Sequence, residues 1–174
     1  VVERCGYSMP YLSTQRLFSC SGGEAYGEGE GYLTDEDVRS MSLAIAAGMP
    51  QLESIDISYN EVYDARPLFD AMAKGGVPKL RVIGAFMIPI GDDSVAALSD
   101  AIRSGNLSNL EELDLSTTDI GDEGITKLAA AIADVPMSKL RRLYLQRNNA
   151  IGDEGITALA SAIARGKLPA LQSL

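Results

Sequence analysis

The chain has 174 residues, with 24 Asp+Glu against 15 Lys+Arg, two Cys, no His and no Trp. At 46% apolar and 22% charged residues, it has the composition of one globular domain with a sizeable core, not of a disordered chain. A formal charge of −9 leaves no basic excess for a nucleic-acid backbone; the missing His removes the commonest general base and metal ligand; two Cys are too few for a four-ligand zinc site.

The chain opens Val1-Val2-Glu3-Arg4-Cys5, without an apolar signal core or an initiator Met, so it is expected to be processed or a fragment. Cys5 and Cys20 could pair in an oxidising compartment; two ordinary thiols in a cytoplasmic protein are the preferred expectation. A strand is expected at residues 16–20. Residues 21–32 hold five Gly and three Glu and read as a flexible insertion. The first helix is expected to open at Asp35-Glu36-Asp37 and to bury Met41 and Ile45. The apolar stretch 42–49 that follows is far short of the roughly 20 residues that cross a bilayer.

From there a frame recurs. Units begin at Leu52, Leu80, Leu110, Leu140 and Leu171, which are 28, 30, 30 and 31 residues apart. Each opens with alternating apolar residues, as in a short strand: Ile55/Ile57, Ile83/Ala85, Leu113/Leu115 and Leu143/Leu145 are expected to point inward. Each later half has helical spacing, with Leu98/Ile102, Leu128/Ile132 and Leu159/Ile163 four apart on one face. Between the halves stand Ile90-Gly91-Asp92-Asp93, Ile120-Gly121-Asp122-Glu123 and Ile151-Gly152-Asp153-Glu154. Their first Asp is expected to be the N-cap of its own helix. A calcium site would need these carboxylates to converge on one loop, whereas each pair belongs to a separate helix start. Gly48, Gly75, Gly105 and Gly166, with Pro50, Pro78, Pro136 and Pro169, are expected to stop the helices.

A strand–helix unit of this length cannot bury its apolar face alone, so the expected fold is an α/β solenoid, a horseshoe with a parallel concave sheet and outer helices. The pattern at Leu140, Leu143, Leu145, Asn148, Ile151, Gly155, Leu159 and Ile163 resembles the leucine-rich repeat family, ribonuclease-inhibitor-like class. The resemblance covers about residues 31–174. It divides the chain into an irregular N-terminal segment, residues 1–31, and a solenoid over residues 32–174, truncated within its last repeat. The Asn that closes the turn in the family is present at Asn60 and Asn148. Ile88 and Thr118 replace it in the second and third units, so the buried amide ladder is expected to be incomplete. Arg66-Pro67 replaces the Gly-Asp-Glu-Gly segment in the first unit, where irregular curvature is expected.

The resemblance implies protein binding on the concave face. Alternation places Ser54, Asp56, Ser58 and Tyr59 there, then Val82, Gly84, Phe86 and Met87, then Glu112, Asp114, Ser116 and Thr117, then Arg142, Tyr144, Gln146 and Arg147. Val82, Phe86 and Met87 put apolar bulk where polar residues are expected. Arg142, Tyr144 and Arg147 gather residue types enriched in interface hot spots. Together with Asp114 these six form the expected protein-binding set. Two bland alternatives stand beside it: Phe86 and Met87 roll inward near Ile88, and Arg142 with Glu112 is an ordinary surface pair.

No catalytic constellation is present: there is no G-x-S-x-G, no Walker loop, and no His to activate Cys5 or Cys20. The expected protein is a non-enzymatic, cytoplasmic interaction module without cofactor or metal, binding neither nucleic acid nor, by insertion, a membrane. The alternatives are a structural subunit of a large assembly, with a subunit contact at the truncated C-terminal end where Leu171 and Leu174 expose a core edge, and an activator of a small GTPase. Ten acids lie in or beside the helix-start turns: Asp35, Glu36, Asp37, Asp64, Asp92, Asp93, Asp122, Glu123, Asp153 and Glu154. Without them 24 − 10 = 14 acids face 15 bases, so the net charge reflects repeated architecture more than a basic partner.

Overall fold

The computed structural model describes residues 32–174 and the backbone of residues 17–19. Cys5, Cys20 and the Gly/Glu-rich insertion up to residue 31 lie outside the described residues. The elements alternate along the chain: β1 (Leu17–Ser19), α1 (Asp35–Ala47), β2 (Ser54–Asp56), α2 (Arg66–Ala73), β3 (Val82–Gly84), α3 (Gly91–Arg103), β4 (Glu112–Asp114), α4 (Asp122–Asp134), β5 (Arg142–Tyr144) and α5 (Asp153–Ala164). The five strands form one parallel sheet in chain order. Each helix packs on the next, from α1 to α5. The result is a solenoid with the sheet on one side and the helices on the other.

The repeat frame fixes the register. Ile55 pairs with Ile83, Ile83 with Leu113, and Leu113 with Leu143. All four are buried, and each contributes about 1.5–3 kcal/mol of hydrophobic stabilisation. Two residues on, Ile57, Ala85 and Leu115 are equally buried, while Leu145 is half-buried against the core. From the helices, Leu98, Ile102, Leu128, Ile132 and Leu159 complete the interior, with Ile163 packed at its edge. The glycines expected to stop helices do so with left-handed backbones: φ is +100° at Gly48, +98° at Gly75, +79° at Gly105 and +71° at Gly166.

One expectation is overturned. Asp92, Asp122 and Asp153 do not N-cap their own helices. Gly121 and Gly152 are the N-caps of α4 and α5, so Asp122 and Asp153 are already helical, and Asp92 lies inside α3. The carboxylates of Asp92 and Asp122 act one repeat further along. Asp92 Oδ1 accepts the backbone N–H groups of Gly121 and Gly124, at 2.7 and 3.1 Å. Asp122 Oδ1 accepts those of Gly152 and Gly155, both at 2.8 Å. Asp35 Oδ1 does the same for Tyr63 and Asp64, at 2.8 and 2.9 Å. The physical reason is the stacking: helix starts lie side by side, so a carboxylate in one first turn reaches the orphan N–H groups of the neighbouring turn. The exception is α2, which is eight residues long and carries Pro in its first turn. Between α2 and α3 the direction reverses, and the Ala65 N–H donates to Ser94 Oγ of α3 at 3.2 Å.

The amide ladder is incomplete as expected, and the gaps are filled in two ways. Asn148 Nδ2 donates to the carbonyls of Leu115 and Leu145, at 2.7 and 3.0 Å, while its Oδ1 accepts from the Thr118 and Ile120 N–H groups at 2.9 and 3.3 Å. Thr118 adds its hydroxyl, donating to the Leu115 carbonyl at 2.6 Å. At Ile88 no side chain helps: the turn closes through backbone bonds from Ile90 to the Ile88 carbonyl (2.9 Å) and from Gly91 to the Thr118 carbonyl (3.0 Å).

Candidate functional site

The concave face is a lattice of rows, because residues at one position of successive strands lie about 4.8 Å apart in the hydrogen-bonding direction. The first row, Ser54, Val82, Glu112 and Arg142, follows the strand register. The second is Asp56, Gly84, Asp114 and Tyr144. Beyond the strands the frame continues with Ser58, Phe86, Ser116 and Gln146, and then Tyr59, Met87, Thr117 and Arg147.

That last row has a shared backbone signature. Tyr59, Met87, Thr117 and Arg147 all have left-handed backbones, with φ of 58°, 59°, 56° and 59°. The conformation extends the ladder past the strand ends. Tyr59 N–H donates to the Phe86 carbonyl at 2.9 Å, Met87 N–H to the Ser116 carbonyl at 3.0 Å, and Thr117 N–H to the Gln146 carbonyl at 2.8 Å. Gly or Asn would adopt it at least cost. Instead the row carries Tyr, Met, Thr and Arg, and Tyr59 and Met87 are 45% and 50% exposed.

A shallow concavity of about 330 Å³ opens across the last three strands, lined by Phe86, Asp114, Ser116, Thr117, Tyr144, Gln146 and Arg147. It brings together four residues of the expected set: Phe86, Asp114, Tyr144 and Arg147. Val82, Met87 and Arg142 are not in its lining. Phe86 does not enter the core; it is half-buried and meets Tyr59 edge to face, with ring centroids 4.9 Å apart. Met87 is exposed on the rim. Arg142 is occupied by Glu112, donating from Nε at 2.8 Å and from Nη2 at 2.5 Å. That bond holds the Arg142 guanidinium above its ordinary pKa. Arg147, by contrast, is exposed and makes no ion pair with the described residues.

The lining also includes Ser116, Thr117 and Gln146, which sequence reasoning placed on this face but not in the binding set. Ser116 Oγ and Gln146 Oε1 lie 2.6 Å apart, so these two polar groups satisfy each other. The signal that finds them is the alternation itself.

A second concavity, of about 240 Å³, lies at the opposite edge of the strands, lined by Glu53, Lys79, Arg81, Asn109, Glu111 and Lys139. Its charged groups all have partners. Arg81 donates to both Glu111 oxygens, at 2.8 and 3.0 Å, and lies 3.9 Å from Glu53. Lys79 and Lys139 donate to Gln51 and Asn109, each at 2.6 Å. Among the described residues no group of three or more Cys, Asp or Glu is placed to hold a metal ion, and no helix is long and apolar enough to cross a membrane.

Residues 106–129 and 137–160 each match a family model described as Leucine Rich repeat. The fold is a leucine-rich-repeat solenoid, and these two stretches are leucine-rich repeats that supply six of the seven residues lining the concavity. No curated protein matches the chain.

Proposed function

We propose that this chain is a non-enzymatic interaction module that holds a protein partner on its concave sheet, and that its repeats are of the ribonuclease-inhibitor-like class. Leucine-rich repeats are commonly protein-interaction modules. The observation that carries the reading is the concavity where Phe86, Asp114, Tyr144 and Arg147 converge from three adjacent repeats. Aromatic residues and Arg are the side chains that dominate binding energy at protein interfaces. The class assignment is supported by strand–helix units of 28–31 residues with full α-helices in the outer layer.

The test is affinity capture from native extract with Phe86→Ser, Tyr144→Ala and Arg147→Glu beside the unaltered chain. Each substitution is expected to reduce recovery of the partner while the circular dichroism stays native. If all three recover it normally, the concave face is not the binding surface.

A further inference from the structure

We propose that the concave face takes an extended polypeptide segment and sets one of its basic side chains, arginine or lysine, over the row Asp56–Gly84–Asp114, between Phe86 and Tyr144. This rests on the concave-face reading above and gives the partner a chemistry.

The sheet treats its acids unequally. At the strand starts each carboxylate has a guanidinium: Glu111 has Arg81, Glu112 has Arg142 and Glu53 has Arg81. In the next row the pairing stops. Asp56 and Asp114 are half-buried, and neither makes an ion pair among the described residues. Each has one oxygen fixed by a backbone N–H two residues on, from Ser58 and Ser116, both at 2.9 Å. The second oxygen of each is left for another donor. A partly desolvated carboxylate held in place without a cation is complementary to a cation brought by a partner.

Gly84 shapes the gap between them. It stands in register between Asp56 and Asp114, and a Cβ there would meet Asp56 Oδ1 at 2.7 Å and Ser58 Oγ at 3.3 Å. The Asp56 carboxylate therefore lies over the Gly84 backbone, on the side toward Asp114. Any larger residue would displace it. The walls suit a cation as well: Tyr144 is the register neighbour of Asp114, and Phe86 lines the same concavity. Guanidinium and ammonium groups are attracted to aromatic faces. Arg147 closes the far rim with unpaired positive charge, which confines a basic side chain to the Asp row and favours an acidic or neutral residue of the segment beside it.

The test uses the full 174-residue chain panned against displayed short random peptides, followed by fluorescence anisotropy of the selected peptides at low and high salt. The expected peptides carry Arg or Lys beside an apolar residue. Replacing that base with Gln, or introducing Asp56→Asn or Asp114→Asn, weakens binding by about tenfold or more, as for loss of one partner of a desolvated charge pair. Asn keeps the oxygen that accepts the Ser58 or Ser116 N–H, so these variants retain the turn. Peptides that are lost with Phe86→Ser or Tyr144→Ala, yet lack a base or ignore both Asn variants, overturn this inference and leave the concave face standing. A selection yielding no peptide sensitive to Phe86 or Tyr144 overturns both.

Discussion

Asp122 Oδ1 accepts the backbone N–H of Gly155, in the first turn of the following repeat's helix, at 2.8 Å. The same oxygen accepts Gly152 N–H at 2.8 Å, so one carboxylate caps a helix start that belongs to its neighbour. The contact ties adjacent repeats as well as satisfying two orphan donors. Asp122→Ala is expected to lower stability by about 1–2 kcal/mol, the usual cost of a lost cap. Asp153 occupies the same position one repeat later but is exposed and bonds to no described residue; Asp153→Ala should stay within about 0.5 kcal/mol. Urea midpoints for the two variants check this, and equal losses would contradict the cross-repeat assignment.

The glycines on the receiving side are predicted to resist alanine despite lying in helices. A Cβ on Gly155 would meet Asp122 Oδ1 at 2.7 Å, and one on Gly124 would meet Asp92 Oδ1 at 2.5 Å. Helix propensity alone favours Ala over Gly by about 1 kcal/mol. The expected result is the opposite sign, because the new methyl displaces the capping carboxylate. Urea unfolding of Gly155→Ala measures it. The loss should be smaller when Asp122 is already Ala, giving a non-additive double-mutant cycle.

Asn148 serves two repeats at once. Its amide holds two carbonyls and two N–H groups in buried surroundings. Asn148→Ala leaves several of these without partners, each costing about 1–3 kcal/mol. A total loss of about 2–4 kcal/mol is expected, since part of the strain relaxes. Thr118→Val, which removes one hydroxyl and retains its shape, should cost less. A denaturation series in which Thr118→Val loses more stability than Asn148→Ala would refute this division of labour.

These contacts also show what the sequence could and could not convey. The strand and helix positions were legible because alternation and four-residue spacing recur in frame, and Ile55, Ile83, Leu113 and Leu143 each occupy the same inward position. The capping Asp residues were placed in the right turns but assigned to the wrong helices. A one-helix rule sees only the orphan donors nearest in sequence, while the donors bonded to Asp92 and Asp122 lie 29–33 residues away. At the site, alternation gave the correct face for Phe86, Asp114, Tyr144 and Arg147. For Arg142 it left two readings open, a binding residue or an ordinary pair with Glu112, and the bonds from its guanidinium to Glu112 decide for the pair. The left-handed row was invisible, since Tyr, Met, Thr and Arg carry none of the composition signal that Gly or Asn would.

Acid sensitivity follows from two pairs. The Arg66 side chain donates to Asp64 and the Arg81 side chain to Glu111, and each bond holds its carboxyl below the ordinary value. The folded state thus binds protons less readily than the unfolded state. Stability from these pairs is complete above the ordinary carboxylate pKa of about 4 and is lost as pH falls below it through the lowered folded value. Both pairs are partly exposed, so the contribution is small and salt-sensitive. Urea midpoints of the double variant Asp64→Asn/Glu111→Gln should fall less between neutral and acid pH than those of the unaltered chain. An equally steep fall would show that other carboxylates carry the acid dependence.

Met87 and Arg147 separate stability from binding. Both hold left-handed backbones, with φ of 59°, which costs an L-residue roughly 1–2 kcal/mol. Gly relieves that strain but adds about 0.5–1 kcal/mol of chain entropy on folding. Met87→Gly and Arg147→Gly should therefore leave stability unchanged or raise it by up to about 1 kcal/mol. Neither side chain is in the core, so little packing is lost. Under the proposed function the same substitutions weaken partner binding, because they remove exposed side chains from the rim. Urea midpoints and anisotropy with selected peptides read the two effects separately. A loss of stability larger than about 1 kcal/mol would mean that these side chains serve the fold, and their exposure on the concave rim would need no partner to explain it.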